Sequence, residues 1–284
     1  GTGNLGFTPA VPSSDARTVA IWPTGSSALA VDAPRHRLFY AQRCAIYVVD
    51  LQSHAMDLYM GNPNSCGKTG DGGLAVDALS NTVGYMAVTE TGVLFFVTVG
   101  ASGPVRALRY IDTGGRIDTI FDAGVNFGSP ALSIAGYLGD VAAIPGENDE
   151  VFMAGDCTTP TGTRECILRV STAGALTHIA GAIGTDGSPE GIAATSAVLG
   201  DGAWIEALST GEIVVGESVY DRIRVIGVNG NIQTIAGTYN MPGDTGDGGP
   251  SSAALVRDPS WVSVYGADHI VFWQQGDRAI RSIW

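Results

Sequence analysis

Between residues 203 and 237, apolar and polar positions alternate in four short runs separated by turn residues. Trp204-Ile205-Glu206-Ala207-Leu208 is closed by Ser209-Thr210-Gly211, and Glu212-Ile213-Val214-Val215-Gly216 follows. Arg222-Ile223-Arg224-Val225-Ile226 then leads through Asn229-Gly230 into Ile232-Gln233-Thr234-Ile235-Ala236-Gly237. β-Branched residues with a period of two predict strands, and Asn-Gly predicts a hairpin.

The four-strand block is repeated. Thr69-Gly70-Asp71-Gly72-Gly73 recurs as Thr245-Gly246-Asp247-Gly248-Gly249, and each copy is followed at the same spacing by Ala-Leu, Ala78-Leu79 and Ala254-Leu255. Weaker copies run from Gly184-Thr185-Asp186-Gly187 to Leu199 and from Gly128-Ser129-Pro130 to Leu138. Leu79, Leu138, Leu199 and Leu255 are 59, 61 and 56 residues apart. A period of that length marks an array of supersecondary units, and four short strands with a Gly-rich linker describe a propeller blade. A β-sandwich with extra strands leaves the period unexplained.

The expected blades span residues 28–61, 85–124, 140–181, 204–237 and 261–284. The last has three strands. Residues 17–22, Arg17-Thr18-Val19-Ala20-Ile21-Trp22, supply an orphan strand that is expected to pair near Ile280 and close the ring. The expectation is thus an all-β, five-bladed propeller of four-stranded blades over residues 1–284, with an extension at 1–16 and a closing strand at 17–22.

The unit from 203 to 255, with Asp221-Arg222-Ile223-Arg224-Val225-Ile226, Asn229 to Gly237 and the Gly-Asp-Gly-Gly linker, resembles the NHL repeat. The second unit keeps Arg106, Arg109, Ile111, Asp112 and Ile117 to Ile120; the first and third are degenerate. The resemblance covers about residues 17–284. It implies the propeller fold and leaves function open, because the fold hosts unrelated activities. Many NHL propellers have six blades, and five would narrow the central channel.

Charge then removes one class of partner. A net charge of −13 with only 15 Lys and Arg leaves too little basic surface for nucleic acid. The apolar runs are only of strand length, which argues against membrane insertion within the segment. On the propeller frame Cys44 and Cys66, and Cys157 and Cys166, fall in loops of one face, so Cys44–Cys66 and Cys157–Cys166 are the expected disulfides. The alternatives are four cytosolic thiols, or zinc, which the lack of C-x-x-C disfavours. The chain reads as a trimmed ectodomain, with Gly1-Thr2-Gly3 as a residual scar and without an N-x-[ST] acceptor.

Candidate chemistry lies where each innermost strand begins. NHL units usually place Gly there; this chain places Ala28, Tyr85, Asp140, Trp204 and Trp261. Tyr85, Asp140, Trp204 and Trp261 therefore form the expected partner-binding platform on the interblade-linker face, the alternative being that they plug the channel. Asp71, Asp186 and Asp247 invite a calcium reading, but one Asp per loop supplies too few oxygens, so each is expected to cap the following turn. The arginines of third strands are expected to pair with second-strand acids such as Glu217. His178 falls with Thr119 and Thr234 in fourth strands, whereas His36, His54 and His269 show no metal-ligand pattern.

These features point to an extracellular or cell-surface binding module of the adhesion type. The expected partner is a protein, with a glycan as second choice, and no cofactor, metal or catalytic residue is assigned. The ectodomains of kinetoplastid flagellum-attachment glycoproteins are the attractive comparison among extracellular NHL proteins. The alternative is a metal-dependent lyase or lactonase with its site in the central channel.

Overall fold

The computed structural model describes residues 14–16, 28–100, 106–122, 133–147, 149–159, 162–182, 189–266 and 269–284. Contacts divide the chain into two compact units, Gly1–Ala123 with Gly146–Asp149, and Gly124–Pro145 with Glu150–Trp284. The fold class is the five-bladed, all-β propeller expected from the repeat, with two blade sheets in the first unit and three in the second.

In the first unit, Ser14–Asp15 (β1), Leu29–Asp32 (β2), Arg37–Gln42 (β3), Ala45–Asp50 (β4) and Ala55–Gly61 (β5) form one sheet, ordered β1-β5-β4-β3-β2. Thr82–Val88 (β6), Leu94–Val99 (β7), Ala107–Ile111 (β8) and Ile117–Asp122 (β9) form the next. Phe39, Ile46, Met60, Leu94, Phe96 and Ile111 belong to one buried cluster that packs the two sheets together.

In the second unit, Ser133–Ala143 (β10), Glu150–Thr159 (β11), Gly162–Ser171 (β12) and Leu176–Ala180 (β13) make a four-stranded meander. Ile192–Ala193 (β14), Trp204–Ala207 (β15), Ile213–Glu217 (β16), Arg222–Ile226 (β17) and Asn231–Gly237 (β18) follow, with β14 on the outer edge beside β18. Pro259–Tyr265 (β19), His269–Gln274 (β20) and Ala279–Ile283 (β21) complete the order. The closing strand expected at 17–22 lies outside the described residues, as do Gly128 to Pro130 and Asp186.

First strands begin earlier than the alternation pattern indicated in three blades, at Thr82, Ser133 and Pro259. Register shifts explain the difference: they fall between Val83 and Tyr85, between Ile134 and Val141, and between Ser260 and Ser263. A bulge breaks the two-residue period, so a pattern reading starts after it. A second bulge sits at the same step of each four-stranded meander, after Ile46, Leu108, Ile167 and Ile223 of the third strands. The next third-strand residue is Tyr47, Arg109, Leu168 or Arg224.

That position explains the Thr-Gly-Asp-Gly-Gly repeat. Arg109 is fully buried; it donates to the Leu79 and Thr69 carbonyls at 2.9 and 3.0 Å and to Asp71 Oδ1 at 2.6 Å. Thr119 Oγ1 donates to the same carboxylate oxygen at 3.1 Å. In the last blade Arg281 repeats the set, reaching Leu255 O at 2.6 Å, Thr245 O at 3.2 Å and Asp247 Oδ1 at 2.6 Å. Gly70 adopts a φ of +93°, and a Cβ there would lie 2.5 Å from Ala78 Cβ, so Gly and Ala are fixed by one close approach.

The expectation that Asp71 and Asp247 cap the following turns is therefore corrected. The single 3-10 turns at Ala75–Asp77 and Ser251–Ala253 have no side-chain cap, and both aspartates pair with an arginine of the next blade. The expected second-strand partners hold for Arg222 with Glu217 and for Arg169 with Glu150, but not for Arg109 or Arg281. A buried guanidinium must be matched wherever an acid can reach it, and the linker reaches it first.

Both expected disulfides are formed, Cys44–Cys66 with Cα atoms 5.3 Å apart and Cys157–Cys166 with Cα atoms 5.8 Å apart. Non-reducing peptide mapping is expected to recover these two pairs, and removing either bridge should lower stability by roughly 3 kcal/mol.

The two arginine clamps differ in burial, and this sets an order of effects. The Arg109 side chain is inaccessible, whereas Arg281 retains 12% exposure beside an Asp247 that is 80% exposed. Arg109→Ala should cost about 3–5 kcal/mol in urea unfolding, and Arg281→Ala clearly less. Equal losses would show that burial does not control the clamp.

Candidate functional site

Three tryptophans of the second unit stand together. Trp204 opens β15, Trp261 lies in β19 and Trp273 in β20. The Trp204 and Trp261 rings meet edge-to-face at 5.6 Å, and Trp261 and Trp273 are tilted at 6.5 Å.

The local sequence fixes this grouping. Trp204 is opposite Gly216 in the β15–β16 register. A Cβ on Gly216 would lie 2.7 Å from Val262 Cγ2, so the glycine is what lets β19 approach β16. Ser218 Oγ donates to Pro259 O at 2.9 Å and anchors the start of β19. The β19 bulge follows, and Trp261 within it has a φ of +45°. A bulky residue in the left-handed region costs on the order of 1–3 kcal/mol and persists only where the surroundings hold it. Trp261 nevertheless remains 60% exposed.

Two carboxylates bond to backbone N–H groups in and beside β15. Asp140 Oδ2 accepts a bond from Ile205 N at 3.1 Å and Oδ1 accepts one from Val141 N at 2.9 Å. The carboxylate thus lies beside the Trp204–Ile205 peptide. Glu206 is two residues beyond Trp204, on the same face of β15, and accepts from Ala207 N at 3.2 Å. Burial in low-dielectric surroundings pushes Asp140 up to about 7, with the nearby Glu206 adding to the rise. Burial likewise pushes Glu206 up to about 7. A third acid, Glu165, is raised to about 8 by burial; Gly202 N donates to its Oε2 at 3.0 Å while Oε1 has no partner. It is fully buried in β12.

Of the platform residues expected from sequence, Trp204 and Trp261 are in ring contact, and Asp140 is held on the backbone of Ile205, the residue after Trp204. Tyr85 lies in β6 of the first unit, half-buried and opposite Val97. Glu206 and Trp273 were not singled out by sequence. The i,i+2 spacing from Trp204 was a signal for Glu206; Trp273 joins only through the β19–β20 register, where it opposes Ser260. Among the described residues no three His, Cys, Asp or Glu side chains converge on a point that could hold a metal. His36 and His54 instead occupy left-handed turn positions, and His269 stacks on Tyr265.

No protein-family model matches the chain, and no curated protein does. Solved structures do. A Bacteroides thetaiotaomicron protein of unknown function matches at 12% identity over 95% of this chain and 71% of its own, with a TM-score of 0.53. Regucalcin, a calcium-binding protein from Agrobacterium tumefaciens, matches at 14% identity over 90% of this chain and 70% of its own, with a TM-score of 0.51. An auxiliary nutrient binding protein from Bacteroides ovatus matches at 15% identity over 88% and 66%, with a TM-score of 0.50. At these identities the likeness is one of fold.

The raised carboxylates carry a sign that can be tested. Between the ordinary carboxylate range and about pH 7–8 the native state holds protons that the unfolded chain has released. Their contribution to stability therefore falls as pH rises through that window and is greatest at its acid end. The urea midpoint of the second unit should be higher near pH 5 than near pH 8. Asp140→Asn, which keeps an acceptor for Ile205 N, should flatten the slope and stabilise the protein at the alkaline end by about 1–2 kcal/mol.

Proposed function

We propose that this chain is an extracellular binding module that recognises a protein partner through the surface carrying Trp204 and Trp261. The observation that carries the reading is Trp261, a large apolar ring 60% exposed on a backbone in the left-handed region, with Trp204 and Trp273 behind it. Tryptophan at the centre of a patch is the residue type that most often dominates binding energy. Asp140, which accepts from Ile205 N next to Trp204 in the chain, is the polar anchor of this reading.

The extracellular placement rests on the two disulfides, which persist in oxidising compartments. No helix is long and apolar enough to cross a membrane among the described residues. The resemblance to extracellular NHL propellers supports an adhesion role.

The test is capture of cell-surface proteins by the immobilised chain, with the retained partner identified and its affinity measured. Trp261→Ala and Trp204→Ala should each weaken that affinity by about 2 kcal/mol, as truncation of a central aromatic does. Urea unfolding of both variants provides the control for core damage. Folded variants that bind the partner with unchanged affinity would overturn the assignment of this surface, and loss of binding on deglycosylation of the partner would make the ligand a glycan.

A further inference from the structure

We propose that the outer edge of β21 and the linker opposite it form a slot that receives one extended strand of a protein partner, carrying an apolar residue and, two positions later, a threonine or serine. The slot shares no residue with the tryptophan surface and goes beyond the reading given above.

The second blade shows how such a slot is filled. Its linker runs beside β9: Gly72 N donates to Ile117 O at 2.8 Å, Ile117 N to Gly73 O at 3.0 Å and Ala75 N to Gly115 O at 2.9 Å. Thr119 Oγ1 adds its bond to Asp71, and the Arg116 guanidinium donates to Gly72 O. The fourth blade repeats the scheme. Gly191 N donates to Ile232 O at 2.9 Å, Ala194 N to Gly230 O at 2.8 Å, and Thr234 Oγ1 to Glu190. Each fourth strand is thus bonded on both edges, to the third strand and to the linker.

In the last blade both walls are built. The linker there has the conformation of its counterpart, with φ of +95° at Gly246 and +76° at Gly248 against +93° at Gly70 and +77° at Gly72. Arg281 clamps it as Arg109 clamps the other. β21, however, pairs with β20 alone. Among the described residues nothing accepts from Gly248 N or Ser251 N, or donates to Gly249 O, the counterparts of the bonded groups of Gly72, Ala75 and Gly73. A cleft of about 330 Å³ lies between Asp247 to Gly249 on one side and Arg281 to Ile283 on the other. Its floor includes Ala236, Ala254 and Phe272. These match in register Met60, Ala78 and Phe96, which share a buried cluster with Ile117. The Asp247 side chain is 80% exposed where that of Asp71, which also accepts from Thr119, is 44% exposed.

The described residues supply no occupant. Ser14–Asp15 lies beside β5, and every other described strand already has its place in a sheet. An open strand edge binds an extended segment through main-chain hydrogen bonds and selects its side chains through alternate pockets. The apolar floor takes the residue at the place of Ile117 or Ile232, and Asp247 takes a hydroxyl at the place of Thr119 or Thr234. A basic residue just before the apolar one is matched by Gly248 O, as Arg116 is by Gly72 O, and by the net charge of −13.

The probe is a blocked, fluorescein-labelled octapeptide with the sequence of residues 230–237, Gly-Asn-Ile-Gln-Thr-Ile-Ala-Gly, titrated with the whole chain and read by anisotropy. Saturable binding that weakens roughly fivefold when valine replaces the peptide threonine, and is lost when the sequence is scrambled, supports the proposal. Ser251→Pro removes the N–H that would bond the first residue of the peptide, at the first position of a 3-10 turn where proline is tolerated. It should weaken binding by a similar factor with circular dichroism unchanged; if this variant unfolds, the threonine comparison decides alone. Absence of saturable binding to the unaltered chain overturns the proposal, and is the result expected if the chain closes the slot with residues of its own. Binding that is indifferent to the threonine and to sequence order overturns it as well.

Discussion

The third-strand arginine that meets the incoming linker is the constraint shared by the second and last blades. A cation without solvent must find acceptors, and a strand interior offers it none beyond the ladder. Arg109 and Arg281 find theirs in the linker that enters their own blade: two carbonyls and one aspartate oxygen each. The linker is thereby held against the sheet, and the Gly-Ala approach at Gly70 and Ala78 lets it lie close enough to reach. In the fourth blade Glu190 accepts from Thr234 N and Oγ1 at 2.6 and 2.8 Å and lies 3.9 Å from Arg224, a fully buried guanidinium that makes no hydrogen bond among the described residues and so departs from the pattern. The third blade has Leu168 where the second and fourth have arginine and the first has Tyr47, and its fourth strand carries His178 where Thr119 and Thr234 stand in the second and fourth. Loss of the cation and loss of the hydroxyl that served its acid go together.

The tryptophan site depends on a different irregularity. The β19 bulge rotates Trp261 out of the regular alternation, and Gly216 removes the side chain that would hold β19 away. A larger residue at 216 would place its Cβ 2.7 Å from Val262 Cγ2, so β19 or Val262 would have to shift. The same local geometry sets the carboxylates apart from solvent, because Asp140 is drawn onto the β15 backbone by Ile205 N.

Much of the blade architecture was legible because it is written in short-range periodicity. The four strands of the fourth blade lie where alternation and Asn229-Gly230 put them, and the disulfide pairs followed from equivalent places in repeated units. The starts of β6, β10 and β19 were missed because a bulge erases the period on which the reading relied. The role of Asp71 was misread for a related reason: its partner Arg109 is 38 residues away, and a turn-forming residue was the nearer explanation.

What the sequence determined by itself was the repeat, its strands and the residues carried within each first strand, since these depend on neighbours within a few positions. Tertiary structure alone decided which of those residues meet. Trp204 joins Trp261 because one glycine lets two sheets close, and Trp273 joins them by register. It also decided the charge state, because the same carboxyl group is an ordinary acid in water and a reluctant one when protein replaces that water.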